Sequence, residues 1–252
     1  MKRSILITGA TGKIGKVFVK HFLNNGDEVI ALAKTKTKLK KLKTELNPFG
    51  DDLKIITLDL MKKGSEKELI QSLNLMGVQP NCLINNARSI KNLKINENGY
   101  LSDQLIMNEF KLGVIVPYKL VMALIKADNT SIERVVNISS IYGVVAPNLT
   151  IYKNPEIESP IHYGLAKAAL IQLTKELAVR LSKNNVLVNC IAYGGVEGRA
   201  NDEFKSKYSR LCPSGKMLSE DQLAKPIEIL LSEGSEGING HVLMVDGGWT
   251  IW

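Results

Sequence analysis

Residues 4–15, SILITGATGKIG, decide the fold of this chain. The first five form a short apolar run typical of a buried strand, a glycine-rich turn follows, and helical spacing begins at residue 14. Glycine permits a tight turn and lets backbone N–H groups at a helix start approach a pyrophosphate. A strand, a glycine turn and a helix in this order therefore predict a dinucleotide site. We expect this site to involve Thr8, Gly9, Thr11, Gly12, Lys13, Ile14 and Gly15.

Short apolar runs alternate with helical patterns along the rest of the chain. The pattern predicts strands at residues 4–8, 28–33, 53–58, 82–85, 134–138, 187–191 and 241–245. It predicts helices at residues 14–24, 34–46, 65–76, 104–126 and 163–183, and irregular structure at 146–160 and 193–219. Strands that are apolar on both faces and spaced by helices indicate a parallel sheet covered on both sides. We therefore expect a single α/β domain, residues 1–252, with a Rossmann-type doubly wound parallel sheet of about seven strands.

The composition is that of a globular protein, because 44% of the 252 residues are hydrophobic and 23% are charged. These values exclude a disordered chain, a collagen-like repeat and a disulfide scaffold. The sequence has no apolar run near the roughly 20 residues of a membrane span, and we predict neither a membrane segment nor a targeting segment. Cys82, Cys190 and Cys212 lie far apart and lack metal-ligand spacing, which favours a reduced, cytoplasmic setting and no metal site.

The formal net charge is +8, and the densest basic stretch is residues 34–43, which contains six lysines. We interpret this stretch as a solvated helix face; the alternative is that its lysines bind an anionic ligand. The other lysines are dispersed, and no nucleic-acid recognition motif accompanies them. The sequence therefore favours a small-molecule partner over nucleic acid.

A tyrosine and a lysine four residues apart, Tyr163 and Lys167, stand at the start of a predicted helix and lie on one of its faces. A free tyrosine holds its proton up to about pH 10, and a nearby ammonium makes the phenolate easier to form. Such a pair can therefore act as a general acid and base. Ser140 lies at the end of the fifth strand, where α/β sheets place their ligand crevice, and its hydroxyl can bind a substrate oxygen.

The end of the second strand bears on the choice between NAD and NADP. An acidic residue there would bind the 2′ hydroxyl of NAD. The strand instead ends in Ala33 and Lys34, and a lysine can pair with the 2′ phosphate of NADP. We therefore predict NADP as the cofactor, with NAD as the alternative if Lys34 only begins the solvated basic helix.

The whole chain resembles the classical short-chain dehydrogenase/reductase family. The matching segments, in order, are the 8–15 turn, Asp59-Leu60, Asn85-Asn86-Ala87, Ser140, Tyr163 with Lys167, residues 189–194, Asn239-Gly240 and residues 245–248. The resemblance implies that Ser140 orients the reacting oxygen, that Tyr163 exchanges a proton with it, and that Lys167 holds the nicotinamide ribose. It also implies further cofactor contacts from Asp59, Leu60, Asn85, Ala87 and Val196.

The chain departs from the family's pattern at several positions. Lys13 occupies a place that is usually glycine, where it can reach a phosphate or pack along its stem. Lys111 stands where the family's fourth catalytic residue is asparagine, so the proton relay is expected to use Lys111, to use Asn108 one turn earlier, or to run differently. Tyr193 replaces a proline after the sixth strand, and this change is expected to reshape the loop over the cofactor.

Arg88 replaces a glycine beside the nicotinamide pocket, and residues 147–160 lengthen the segment between Ser140 and the catalytic tyrosine. A buried arginine is costly unless it is paired, so Arg88 indicates an anionic substrate group or, equally, a structural carboxylate. These features resemble a narrower branch that acts in bacterial surface-sugar pathways, including flagellin glycosylation and nonulosonic acids. The resemblance implies a polar or anionic sugar substrate, with contacts expected from Arg88, Ser140, Tyr152 and Tyr193.

The sequence thus predicts an NADP-dependent oxidoreductase that interconverts a hydroxyl and a ketone on such a sugar. The alternatives are an NAD-dependent enzyme for another carbonyl or alcohol, and a dinucleotide-binding protein with impaired turnover. The resemblance also implies a homodimer or homotetramer. Trp249 and Trp252 in the tail are expected to be buried, either within the subunit or at a subunit interface.

Overall fold

The carboxyl ends of seven parallel strands form the edge of the sheet at which the expected ligand crevice lies. In this computed structural model, which describes residues 2–127, 131–198 and 200–252, the strand order is β3-β2-β1-β4-β5-β6-β7. The strands are β1 Ser4–Thr8, β2 Glu28–Ala33, β3 Leu53–Thr57, β4 Cys82–Asn85, β5 Arg134–Ser140, β6 Leu187–Tyr193 and β7 Val242–Val245. The order reverses between β1 and β4, which opens a crevice there. The predicted doubly wound sheet is confirmed.

Helices cover both faces of this sheet. They are α1 Lys13–Asn24, α2 Lys36–Glu45, α3 Ser65–Met76, α4 Asp103–Phe110, α5 Val116–Lys126, α6 Pro155–Glu158, α7 Ile161–Leu181, α8 Asp202–Leu211 and α9 Lys225–Leu231. Within the described ranges, no helix has the length and apolar character that a membrane crossing requires.

Alternation along the strands produces two separate cores. Ile5 and Ile7 of β1 face a cluster that includes Phe18 of α1 and Ile227 of α9. Leu6, between them, faces the other cluster, which includes leucines of α3, α5 and α7. Because successive strand residues point to opposite faces, an uninterrupted apolar strand buries side chains on both sides.

The predicted helix at 104–126 is interrupted in the structure. A π-helical segment, Lys111–Ile115, separates α4 from α5. Pro117 gives the physical reason, because it has no N–H with which to continue the helical hydrogen-bond ladder. Such π segments often lie at functional sites.

The prediction of irregular structure at 193–219 is wrong for α8. The Asn201 side chain accepts a hydrogen bond from the Phe204 amide at 2.8 Å and so begins the helix. Acidic residues occupy the first turn, and Glu203 pairs with Lys207 at 2.9 Å. An asparagine cap followed by acids and an i,i+4 pair is a helix signal that could have been found in the sequence.

The two tail tryptophans have different surroundings. Trp249 is buried and stacks on Tyr208 with ring centroids 4.3 Å apart, which confirms its expected burial. Trp252 is 79% exposed in this chain, so the expectation of burial is wrong for it within one subunit. Trp249 gains its partner from α8, whereas Trp252 ends the chain beyond the last element.

Candidate active site

The glycine turn packs directly on the segment that follows β4. Gly9 has φ +67°, and a Cβ there would lie 2.8 Å from the Cα of Ala87. A Cβ on Gly15 would collide with the Gly9 carbonyl oxygen. The Thr8 hydroxyl accepts hydrogen bonds from the amides of Asn86 at 2.9 Å and Ala87 at 3.0 Å. The turn and the β4 segment thus form one rigid wall of the crevice.

The turn leads into α1, whose first residue is Lys13. Gly12 precedes the helix and supplies no side-chain cap. Uncapped N–H groups at a helix start, together with the helix dipole, form a site suited to an anion. The glycine turn, in which side chains at positions 9 and 15 would clash, and the uncapped N-terminus of α1 both fit the pyrophosphate of a nicotinamide dinucleotide.

The expected adenine end of the site carries an ion pair. The Lys34 ammonium lies 2.8 Å from Oδ2 of Asp59, and Oδ1 accepts from the Met61 amide at 3.1 Å. Burial alone would raise the pKa of Asp59, but these two hydrogen bonds outweigh it and the pKa is lowered. Lys34 is 72% exposed, and exposed ion pairs contribute only about 0–1 kcal/mol. A phosphate can therefore compete with Asp59 for this lysine.

The expected catalytic residues come together at the ends of β5 and α7. Ser140 ends β5 and is buried, and its hydroxyl oxygen accepts from the Tyr142 amide at 3.3 Å. The Lys167 ammonium donates to the Ile138 carbonyl at 2.7 Å and lies 5.7 Å from the ring centroid of Tyr163. An ammonium has three donors, so this contact anchors Lys167 and leaves capacity for a ligand hydroxyl.

Buried amides hold these strands in register. Asn85 donates to the side chain of Asn137 at 2.8 Å, and Asn137 donates to Thr174 of α7 at 2.9 Å. One small cavity adjoins this network and brings residues of the predicted cofactor site and catalytic site together. Its lining consists of Thr8, Asn85, Ala87, Leu112, Gly113, Val116, Pro117, Ile138, Lys167 and Leu170.

Arg88 lies over the proposed proton donor. Its guanidinium carbon is 4.8 Å from the ring centroid of Tyr163, which is a cation–π distance. Among the residues that the structure describes, no carboxylate pairs with Arg88. Arg88 is exposed, so the buried arginine expected from the sequence is not observed, and the absence of a carboxylate partner does not by itself require an anionic ligand.

Lys111 has a different neighbourhood from the one expected of a catalytic residue. Its ammonium donates to the Met61 carbonyl at 2.7 Å, in the loop that carries Asp59 and the buried Leu60. Asn108, the alternative, accepts from Gln104 at 2.9 Å. The Lys111 contact ties the junction of α4 and α5 to the loop after β3, whereas the Asn108 contact stays within α4, so the proposed catalytic set does not include Lys111.

The long insertion folds beside the catalytic segment. The Tyr152 hydroxyl lies 2.7 Å from that of Tyr142, and burial raises the pKa of both phenols. Tyr152 also packs edge-on against Phe204 of α8, with ring centroids 5.4 Å apart. Tyr142 follows Ser140 by two residues and was missed by the sequence reasoning, because only the fold shows that its hydroxyl meets the insertion.

Tyr193 does not reach the expected substrate site. Its side chain is buried in the core that α1 and α9 cover, and its hydroxyl donates to the Leu223 carbonyl. The periodicity of β6 could have revealed this, because Ile191 lies two residues earlier on the same core face. Val196 lies just beyond β6, where it pairs with Leu218.

The fold and the site together define an α/β dinucleotide-binding enzyme with a serine, a tyrosine and a lysine at the crevice. The family model for short chain dehydrogenases matches residues 3–209. The chain is 30% identical over 250 residues to the post-translational flagellin modification protein A of Campylobacter coli, covering 97% of each chain. The chain therefore belongs to the short-chain dehydrogenase family, whose members are oxidoreductases.

Two solved structures illustrate the cofactor class. A short chain dehydrogenase from Leptospira borgpetersenii with bound NAD+ has a TM-score of 0.84 and 25% identity, covering 99% of this chain and 93% of that one. Pseudomonas aeruginosa RhlG in an NADP active-site complex has a TM-score of 0.84 and 25% identity, covering 98% and 96%. A nicotinamide dinucleotide is thus the cofactor class, and the family resemblance seen in the sequence is confirmed.

Proposed function

We propose that the protein interconverts a hydroxyl and a ketone on an anionic sugar or sugar derivative, with NADP as the cofactor. The observation that carries the proposal is the Arg88 guanidinium over the Tyr163 ring, because it puts a fixed positive charge beside the proton donor. The flagellin modification protein among the relatives supports a sugar pathway. An NAD-dependent enzyme for another carbonyl or alcohol, and a binding protein with impaired turnover, are the alternatives.

The proposed mechanism assigns one task to each side chain. A nicotinamide dinucleotide held in the crevice would supply or accept the hydride at the substrate carbon. In the reducing direction, the Tyr163 hydroxyl gives its proton to the carbonyl oxygen, and in the oxidising direction the phenolate takes it back. Ser140 donates a hydrogen bond that orients this oxygen, and the Lys167 ammonium stabilises the phenolate and binds a ribose hydroxyl. Tyr152, whose hydroxyl contacts that of Tyr142, is assigned to hydrogen-bond the sugar.

The charge of the substrate can be tested on Arg88. We expect wild type to turn over uronic and nonulosonic acids in preference to matched neutral sugars, and Arg88→Met to reduce that preference about tenfold or more. Lys91→Met, which removes an exposed positive charge three residues away, is the matched control. Steady-state kinetics with each sugar pair measure the preference. An unchanged preference in Arg88→Met would mean that this arginine does not recognise the substrate.

The cofactor can be tested by titration with NADPH and NADH, followed by nicotinamide fluorescence. We expect NADPH to bind more tightly, and Lys34→Ala to weaken NADPH about tenfold while NADH changes less than about twofold. Lys40→Ala removes an exposed lysine of α2 and is expected to leave both affinities unchanged. Tighter binding of NADH by wild type would reverse the cofactor assignment and leave the oxidoreductase assignment intact.

We also propose a homodimer or homotetramer in the cytoplasm. The exposed apolar side chains Trp252 and Ile251 in the tail, and Ile161 and Leu165 on α7, support subunit association because contact with a second copy would bury them. All three cysteines are free and buried, which agrees with a reducing compartment.

A further inference from the structure

One side chain joins the glycine turn to the other half of the sheet. Lys13 is the first residue of α1, and its ammonium donates to the backbone carbonyl of Glu197, in the segment after β6. The same ammonium lies 3.5 Å from the Glu220 carboxylate, in a turn that packs against α1. A single lysine therefore bridges from the β1 end of the crevice to the β6 end.

The path of this lysine depends on the residue after Glu197. Gly198 has φ +94°, and a Cβ at this position would collide with the Lys13 ammonium. Any L side chain would thus both strain the backbone and displace the bridge. The contact between Lys13 and Glu197 therefore requires both the lysine and the glycine at position 198, which leaves room for the ammonium.

The bridged segment is also held on its far side. The Gly195 amide donates to the Tyr208 hydroxyl at 2.9 Å, and the Gly195 carbonyl accepts from the Leu218 amide at 2.8 Å. These contacts attach the segment to α8 and to the 214–218 loop. Val196 and Glu197 are also paired with Leu218 through the backbone, and Lys13 adds the contact that joins this segment to the glycine turn.

The topology shows what lies beside the segment. With the adenine end near Lys34 and Asp59 beyond β2, a dinucleotide crosses the glycine turn and ends near Tyr163, next to the ends of β5 and β6. The segment after β6 therefore faces the nicotinamide half. To serve mainly as a pyrophosphate ligand, the Lys13 ammonium would have to leave or share its contact with the Glu197 carbonyl.

We propose that Lys13 is a positioning residue that holds residues 195–198 against the nicotinamide half of the cofactor, rather than a direct ligand of its pyrophosphate. This inference rests on the proposed dinucleotide function. It assigns to the lysine an effect on the nicotinamide moiety that a phosphate ligand would not have.

The test compares cofactors with and without the nicotinamide ring. Lys13→Met keeps the apolar stem, and Lys16→Met, on the next turn of α1, is the matched control. For Lys13→Met we expect NADH and NADPH to bind about tenfold more weakly, whereas ADP-ribose and its 2′-phosphate change less than about twofold. Lys16→Met should leave all four affinities unchanged. Isothermal titration calorimetry measures each one.

Equal weakening of the ligands with and without nicotinamide would overturn the proposal in favour of a pyrophosphate contact. Unchanged binding of all four would overturn it as well. Gly198→Ala provides an independent variant, because its Cβ displaces the ammonium, and it should give the same selective loss. If wild type binds none of the four ligands, the dinucleotide function itself fails, which is a different result from either of these.

Discussion

Tyr163→Phe is expected to reduce turnover about 10²–10⁴-fold while the affinity for NADPH changes less than about twofold. Phenylalanine keeps the ring that lies beneath Arg88 and removes only the hydroxyl that exchanges the proton. The loss should appear in kcat, because proton transfer contributes in the transition state more than in substrate binding. Single-turnover and steady-state kinetics with the best anionic sugar, together with a cofactor titration, measure both quantities.

Tyr118→Phe is the matched control for this substitution, since it removes the hydroxyl of a half-exposed tyrosine on α5. Near-normal turnover by Tyr163→Phe would show that another group moves the proton. A wild-type protein that binds NADPH but oxidises or reduces none of the acidic or neutral sugars would favour the two alternatives, an enzyme for another carbonyl or alcohol or a binding protein with impaired turnover.

Gly15→Ala is expected to lower the free energy of unfolding by about 2 kcal/mol and to weaken dinucleotide binding at least about a hundredfold. Alanine is a better helix former than glycine by roughly 1 kcal/mol, so propensity alone would stabilise α1. The new Cβ, however, would collide with the Gly9 carbonyl and come within 2.9 Å of the Cα of Ala10. Both neighbours are backbone atoms, so relief requires the turn itself to move.

Urea unfolding and NADPH titration measure the two effects. Gly113→Ala is the matched control, because a Cβ there would lie 3.7 Å from the Ala166 Cβ, an ordinary contact distance. We expect that variant to unfold within about 0.5 kcal/mol of wild type. If Gly15→Ala were as stable as Gly113→Ala and bound NADPH normally, the close packing of the glycine turn would not be required for the site.

The contact between Arg88 and Tyr163 connects the two halves of the proposed function. A guanidinium over the face of a phenol ring is attracted by the ring and keeps donors for a further anion. Recognition of the substrate's charge by Arg88 and proton transfer by Tyr163 would then take place at adjacent side chains. Arg88→Met is therefore expected to alter selectivity more than the basic chemistry, in contrast to Tyr163→Phe.

Local pattern in the sequence determined most of the fold and part of the site. Strand alternation and helical spacing depend on neighbours within a few residues, so the seven strands, the glycine turn and the shared helix face of Tyr163 and Lys167 could be predicted. The same kind of signal could also have revealed α8, from its Asn201 cap, and the core-facing orientation of Tyr193, from the period of β6.

Tertiary structure alone decided how distant side chains are paired. Lys34 pairs with Asp59, Arg88 lies over Tyr163, and Lys13 reaches Glu197. The partners in these pairs come from different elements, and their distance depends on how helices and loops pack at the ends of the strands. No periodicity encodes that packing, because periodicity specifies only which face of its own element a residue occupies. The sequence thus showed which residue types carry the chemistry, whereas the fold determined which charged and polar groups contact each other.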